Sequence, residues 1–217
     1  CIWAPGDRIP GLFKIDLKTW QIDVFPMPLC QTRWYSFIGI SYAEGKLYLY
    51  PWNTHGLAEY DIKNNSWENY TPEDPNAFTG NNFNSFLYNK GKIYCIPSAY
   101  DTMLVFDTNK KTFIEKKIRN KISEILKKKY TEGICKSAVI VDDELLMVLA
   151  KSNKFIMLSL IDESISIKQL LYNEEVADNI AVFDNKLYVM TDLGNIYLYN
   201  LDDKSAKIVY RNVHKGK

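Results

Sequence analysis

Four acids, Asp7, Asp101, Glu175 and Asp178, fall in segments that read as loops. Two carboxylates facing each other across roughly 5–10 Å, one of them held protonated, perform glycoside hydrolysis. The same acids suit turns, where a short carboxylate bonds the backbone just ahead of it. His55 is one of two histidines in the chain, and no triad partner accompanies it. The sequence holds no GxSxG, no phosphate-binding glycine loop and no HExxH. Its four cysteines, Cys1, Cys30, Cys95 and Cys135, have neither CxxC nor Cys/His metal spacing, so free thiols are the simpler reading and no metal or cofactor is expected. Cys95 lies inside a strand pattern and reads as a small buried hydrophobe.

Residues suited to recognition form a second set. Trp34, Trp52 and Tyr100 offer faces that stack on sugar rings or on a partner's side chains, with Arg33, Asn53 and Asn82 as hydrogen-bond donors. Arg8, His55 and Asp101 belong to the same kind of loop and complete the candidate ligand-binding set. Trp20 and Trp67 are assigned instead to packing, as outer-strand residues.

The elements that must position these loops repeat. Gly45-Lys46-Leu47-Tyr48-Leu49-Tyr50 followed by Tyr60-Asp61 and Trp67 recurs 46 residues later as Gly91-Lys92-Ile93-Tyr94-Cys95-Ile96 followed by Phe106-Asp107 and Phe113. Short alternating strands, hairpin glycines, and Pro51 and Pro97 as stops give four antiparallel strands per copy, the size of one propeller blade. The predicted class is all-β: a β-propeller with four full blades at about 34–70, 83–118, 136–171 and 178–212, and a partial blade at 1–27 that lacks its first strand. These blades are read as a single domain over 1–217. Ile118, Ile122, Ile125, Leu126 and Tyr130 recur at helical spacing, predicting one short helix near 118–130 in an inter-blade connection.

Composition narrows the classes. The 217 residues are 47% hydrophobic and 14% aromatic, enough for a continuous core of strands. Net charge is +1, which gives no global field for nucleic acid or an anionic membrane surface. No apolar run approaches the roughly 20 residues that span a bilayer. Cys1-Ile2-Trp3-Ala4 is already strand-like, so the expectation is a chain truncated upstream rather than a lipidated terminus. The compartment has no sequence signal.

Tyr60-Asp61 with Trp67, and Phe106-Asp107 with Phe113, resemble the second half of a Kelch repeat, and the glycine turns before Leu47 and Ile93 fit the same unit. The family's Gly-Gly doublet is replaced by Pro51-Trp52, Pro97-Ser98, Ala150-Lys151 and Met190-Thr191. The resemblance implies a Kelch-like propeller, a family made mainly of protein-binding modules with a few enzymes and carbohydrate-associated members. The expected function is a non-catalytic module that binds a protein or a glycan through the loops around the central channel. The alternatives are a carbohydrate-active enzyme domain with carboxylates at the channel mouth, or a structural segment of a larger protein.

Overall fold

A computed structural model describes residues 1–6, 11–27, 37–51, 56–74, 77–78, 82–98, 101–126, 135–149, 151–171, 175–184, 186–201 and 205–212. Among these residues the strands form five antiparallel sheets. The first has β1 (Ile2–Pro5), β2 (Gly11–Ile15) and β3 (Ile22–Pro26). The second has β4 (Phe37–Ala43), β5 (Lys46–Pro51), β6 (Leu57–Asp61) and β7 (Ser66–Tyr70). The third has β8 (Phe83–Asn89), β9 (Lys92–Pro97), β10 (Thr102–Asp107) and β11 (Thr112–Lys117), followed directly by α1 (Ile118–Leu126). The fourth has β12 (Cys135–Val141), β13 (Glu144–Leu149), β14 (Lys154–Ser159) and β15 (Ile165–Gln169). The fifth has β16 (Ala177–Phe183), β17 (Lys186–Thr191), β18 (Ile196–Tyr199) and β19 (Ala206–Tyr210). Neighbours in every sheet are consecutive in sequence. The fold is the all-β, blade-by-blade propeller architecture that the repeat predicts.

The chain forms two compact units, residues 1–95 with 104–115 and residues 96–103 with 116–217. In the first, Leu12, Leu47, Leu49, Ala58 and Tyr60 form a buried cluster, with Trp3, Phe25 and Trp67 packed against it. The second buries Leu146, Val148, Phe155, Leu187, Val189 and Tyr199 together. Middle strands are the most buried: every residue of β10 is buried, whereas β3, β7 and β11 are largely open. A strand covered on both faces is apolar along its middle, as Met103 to Phe106 are in β10, and a full burial is worth about 1.5–3 kcal/mol for each large apolar side chain.

Two recurring turns set the sheets. The first joins the first and second strands. Glu44-Gly45 and Lys90-Gly91 both have positive φ at each residue, the type I′ hairpin geometry. The second joins the third and fourth strands. Asp16, Asp61 and Asp107 each use Oδ1 to accept hydrogen bonds from the backbone N–H groups two and three residues on, and Ser159 does the same with Oγ. Four residues after each of these, Trp20, Asn65, Lys111 and Glu163 have φ between 50° and 62°.

That turn corrects the assignment of Trp20. The residue paired with the strand end is Ile22 opposite Ile15, as Trp67 is opposite Tyr60. Trp20 is therefore the left-handed turn residue, not an outer-strand residue, and it is 73% exposed. Trp67 does pack: its ring lies 4.8 Å from that of Tyr60. The helix ends at Leu126 within the described residues, and the remainder of the predicted 118–130 segment lies outside them.

Candidate functional site

In a sheet built in this order, the turn after the second strand and the connection into the next sheet emerge at the same end. That end is the predicted loop face. Of the candidate ligand-binding residues, Arg8, Arg33, Trp34, Trp52, Asn53, His55 and Tyr100 lie outside the described residues, as does Asp7. Asn82 and Asp101 lie within them. The Asn82 side-chain amide donates to the Ala77 carbonyl at 2.9 Å. Asp101 is ion-paired through Oδ1 with Arg119 Nε at 2.8 Å, while its side chain stays 72% exposed.

The second unit builds the loop end in most detail. β12 and β16 each begin with an irregular register. Ala177 pairs with Thr191 and Asn179 with Met190, which leaves Asp178 as an extra residue. Cys135 pairs with Leu149 and Ala138 with Met147, so Lys136 and Ser137 together face Val148. A third irregularity stands between Phe37 and Gly39 in the first unit, at the equivalent place. Bulges re-aim side chains at the end of a strand. Here they bring Lys136 Nζ onto the Asp178 carboxylate, and the Ser137 hydroxyl donates to Asn179 Oδ1. The Ile180 N–H donates back to Ser137 Oγ at 3.3 Å.

Glu175 sits two residues before β16 and is tied to the turn after β17. Asn195 Nδ2 donates to its carboxylate at 3.0 Å and the Tyr197 hydroxyl at 2.7 Å. Burial works against ionisation, but hydrogen bonds from Thr191, Asn195 and Tyr197, with the charge of Arg211, outweigh it and hold the carboxyl below its ordinary value. The backbone follows the same path: Val176 N donates to Asp192 Oδ1 at 3.1 Å, and Asp192 N donates to Val176 O at 3.0 Å. Asn212 closes the corner, donating from its backbone N–H to Asn195 Oδ1 and from its side chain to the Leu193 carbonyl. Gly194, at φ +77°, leaves room for it: a Cβ there would stand 2.9 Å from Asn212 Nδ2.

These acids are thus engaged by cationic or polar partners, each in a different small network. Such networks position loops and present donors and acceptors. Glu175 is shifted downward, away from the raised carboxyl that proton donation to a leaving group requires. Among the described residues no group of three His, Cys, Asp or Glu converges on a point, and no helix is long and apolar enough to cross a membrane. Cys95 and Cys135 are buried, and burial pushes both thiols well above their ordinary value, away from the thiolate that reacts.

Sequence reasoning missed Glu59. It lies in β6 at 2% exposure, between Ala58 and Tyr60, and pairs with both Lys46 and Lys111. The available signal was one acid flanked by the apolar Ala58 and Tyr60 in a strand buried from Leu57 to Tyr60.

No family model and no curated protein matches the chain. Solved structures do. The chain is similar to virginiamycin B lyase from Staphylococcus aureus, at 14% identity and a TM-score of 0.66, over 97% of this chain and 66% of that one. A catalytically inactive variant of that lyase with quinupristin gives 14% identity and a TM-score of 0.69, over 98% and 67%. The extracellular domain of a hybrid two-component system from B. thetaiotaomicron gives 17% identity and a TM-score of 0.58, over 96% of this chain and 28% of that one. The chain spans about two thirds of the lyase and under a third of the extracellular domain. Likeness at this identity establishes the propeller fold.

Proposed function

We propose that this chain is a non-catalytic, Kelch-like propeller module that recognises a protein or a glycan through its loop end. The observation that carries the reading is the state of the described acids there. Asp101 is engaged by Arg119, Asp178 by Lys136, and Glu175 by Asn195 and Tyr197. Glu175 is also shifted downward, the wrong direction for a general acid at neutral pH. An enzyme among the structural neighbours acts on virginiamycin B, and others are extracellular domains of one- and two-component systems, so the fold itself is not tied to one role. The Kelch assignment rests on Tyr60-Asp61 with Trp67 and Phe106-Asp107 with Phe113, whose turns have the same backbone geometry.

The test is a panel of immobilised glycans and extracellular protein domains, with wild type and Trp52→Ala compared on any ligand retained. Loss of retention in Trp52→Ala with an unchanged Tm supports the module. Chemical conversion of a retained ligand, abolished by Glu175→Gln, would replace this reading with the carbohydrate-active alternative.

A further inference from the structure

In the first unit, the Glu59 carboxylate is buried with a lysine on each oxygen: Lys46 on Oε1 and Lys111 on Oε2. The two lysines are not equivalent. Lys46 belongs to the same sheet as Glu59, one strand over. Lys111 comes from the left-handed turn position before β11, 52 residues away, and its ammonium lies over two rings, 5.8 Å from the Tyr48 centroid and 5.1 Å from the Tyr70 centroid. The Tyr70 hydroxyl adds a hydrogen bond to Glu59 Oε2 at 3.3 Å. Phe106 backs both rings, 6.3 Å from Tyr48 and 4.8 Å from Tyr70. Two aromatic faces and a desolvated carboxylate around one ammonium is the arrangement by which proteins recognise organic cations.

We infer that Tyr48, Glu59 and Tyr70 form an alkylammonium-binding box, of which Lys111 is the resident intramolecular ligand. The box is built by one sheet, and the cation arrives on the turn of the next. Removing the Lys111 side chain leaves Oε2 and both rings in place, with Lys46 still holding Oε1. The vacated volume matches a propylammonium ion, whose three carbons and ammonium correspond to the Cγ, Cδ, Cε and Nζ that a Lys-to-Ala change deletes. The ligand class is therefore primary alkylammonium, the chemistry shared by polyamines and lysine side chains.

The experiment uses the full chain. Lys111→Ala is titrated with n-propylammonium chloride, against sodium chloride at equal ionic strength, and Tm is followed. The expected result is a saturable rise of about 3 °C over the salt control at ten times the dissociation constant. Wild type, with the box filled, should show no such rise, and neither should Lys111→Ala combined with Glu59→Gln. A rise equal to that given by sodium chloride overturns the proposal. Wild-type protein supplies an independent readout should Lys111→Ala not fold. Acylation footprinting should find Lys111 at least tenfold less reactive than the neighbouring exposed Lys110, and equal reactivity overturns the box.

Discussion

Lys136 and Asp178 meet as an ion pair across the first strands of two consecutive sheets, each residue sitting at the bulge where its strand begins. The bulge is what makes the meeting possible, because an extra residue turns a side chain out of the regular alternation. Ser137 and Asn179 form the next rung. The loop end of the second unit is thus held by polar rungs between sheets, beside an apolar cluster that reaches this end at Leu170, Leu171 and Ala177.

Breaking that ion pair should cost little stability. The side chains are 49% and 35% exposed, so Asp178→Asn should lower unfolding free energy by under about 1 kcal/mol. Urea denaturation measures it. A loss several times larger would show the rung to be part of the core.

The two tryptophans of the repeat should behave in opposite ways. Trp67→Ala removes a ring that packs on Tyr60 and should cost about 3 kcal/mol. Trp20→Ala changes an exposed turn residue and should stay within about 0.5 kcal/mol. Equal losses in chemical denaturation would contradict the turn placement of Trp20.

Stability should depend on pH through Glu59. Burial resists its charge, but hydrogen bonds from Lys111 and Lys46 win, so its folded value lies below the ordinary 4.5. Its contribution is present above pH 4.5 and is lost as pH falls through the lowered value. The hydrogen bond to Glu59 holds Lys46 above its ordinary 10.5, so that contribution is present below pH 10.5 and is lost as pH rises through the raised value. Burial and the same carboxylate push the Tyr48 hydroxyl up, and burial with a hydrogen bond to Glu68 does so for Tyr70, so neither ring titrates inside this window. Glu59→Gln should flatten both limbs of the curve of Tm against pH. Asp16, Asp61 and Asp107, lowered by backbone hydrogen bonds in their turns, keep part of the acid limb in the variant. An unchanged curve would show that Glu59 is not the source.

Two glycines separate space from conformation. A Cβ on Gly56 would stand 2.3 Å from the Tyr70 carbonyl oxygen, so Gly56→Ala should force the β6–β7 pairing apart and cost about 2 kcal/mol. Gly45 has open space but φ +82°, so Gly45→Asn, a residue that tolerates this region, should be nearly neutral. The order of the two Tm values checks the argument.

The blades were legible in the sequence because their turns are local. Asp61 bonds Lys63 and Asn64, and Asp107 bonds Asn109 and Lys110, so a few consecutive residues carry the whole signal. Spacing without pairing misled at Trp20, where the bulkier residue drew attention from Ile22, the true partner of Ile15. Cys95 was legible as core from its strand neighbours. Glu59 was not, since its meaning depends on Lys111 in another sheet. The bulges at Lys136 and Asp178 were equally hidden: register belongs to a pair of strands, and one strand's sequence does not disclose it. Seven of the nine predicted ligand-binding residues lie outside the described residues.

Trp20, Asn65, Lys111 and Glu163 share one left-handed backbone station yet have nothing in common as side chains. The turn is shaped there by the preceding Asp or Ser, so the side chain at the station is not needed to shape it. Each copy has consequently put it to separate use: an indole open to solvent, an amide accepting from Tyr60, a cation seated on the adjoining sheet, a carboxylate meeting Lys116. Four turns of one backbone geometry thus carry four different side chains in four different settings, so the effect of a substitution at one says nothing of the others.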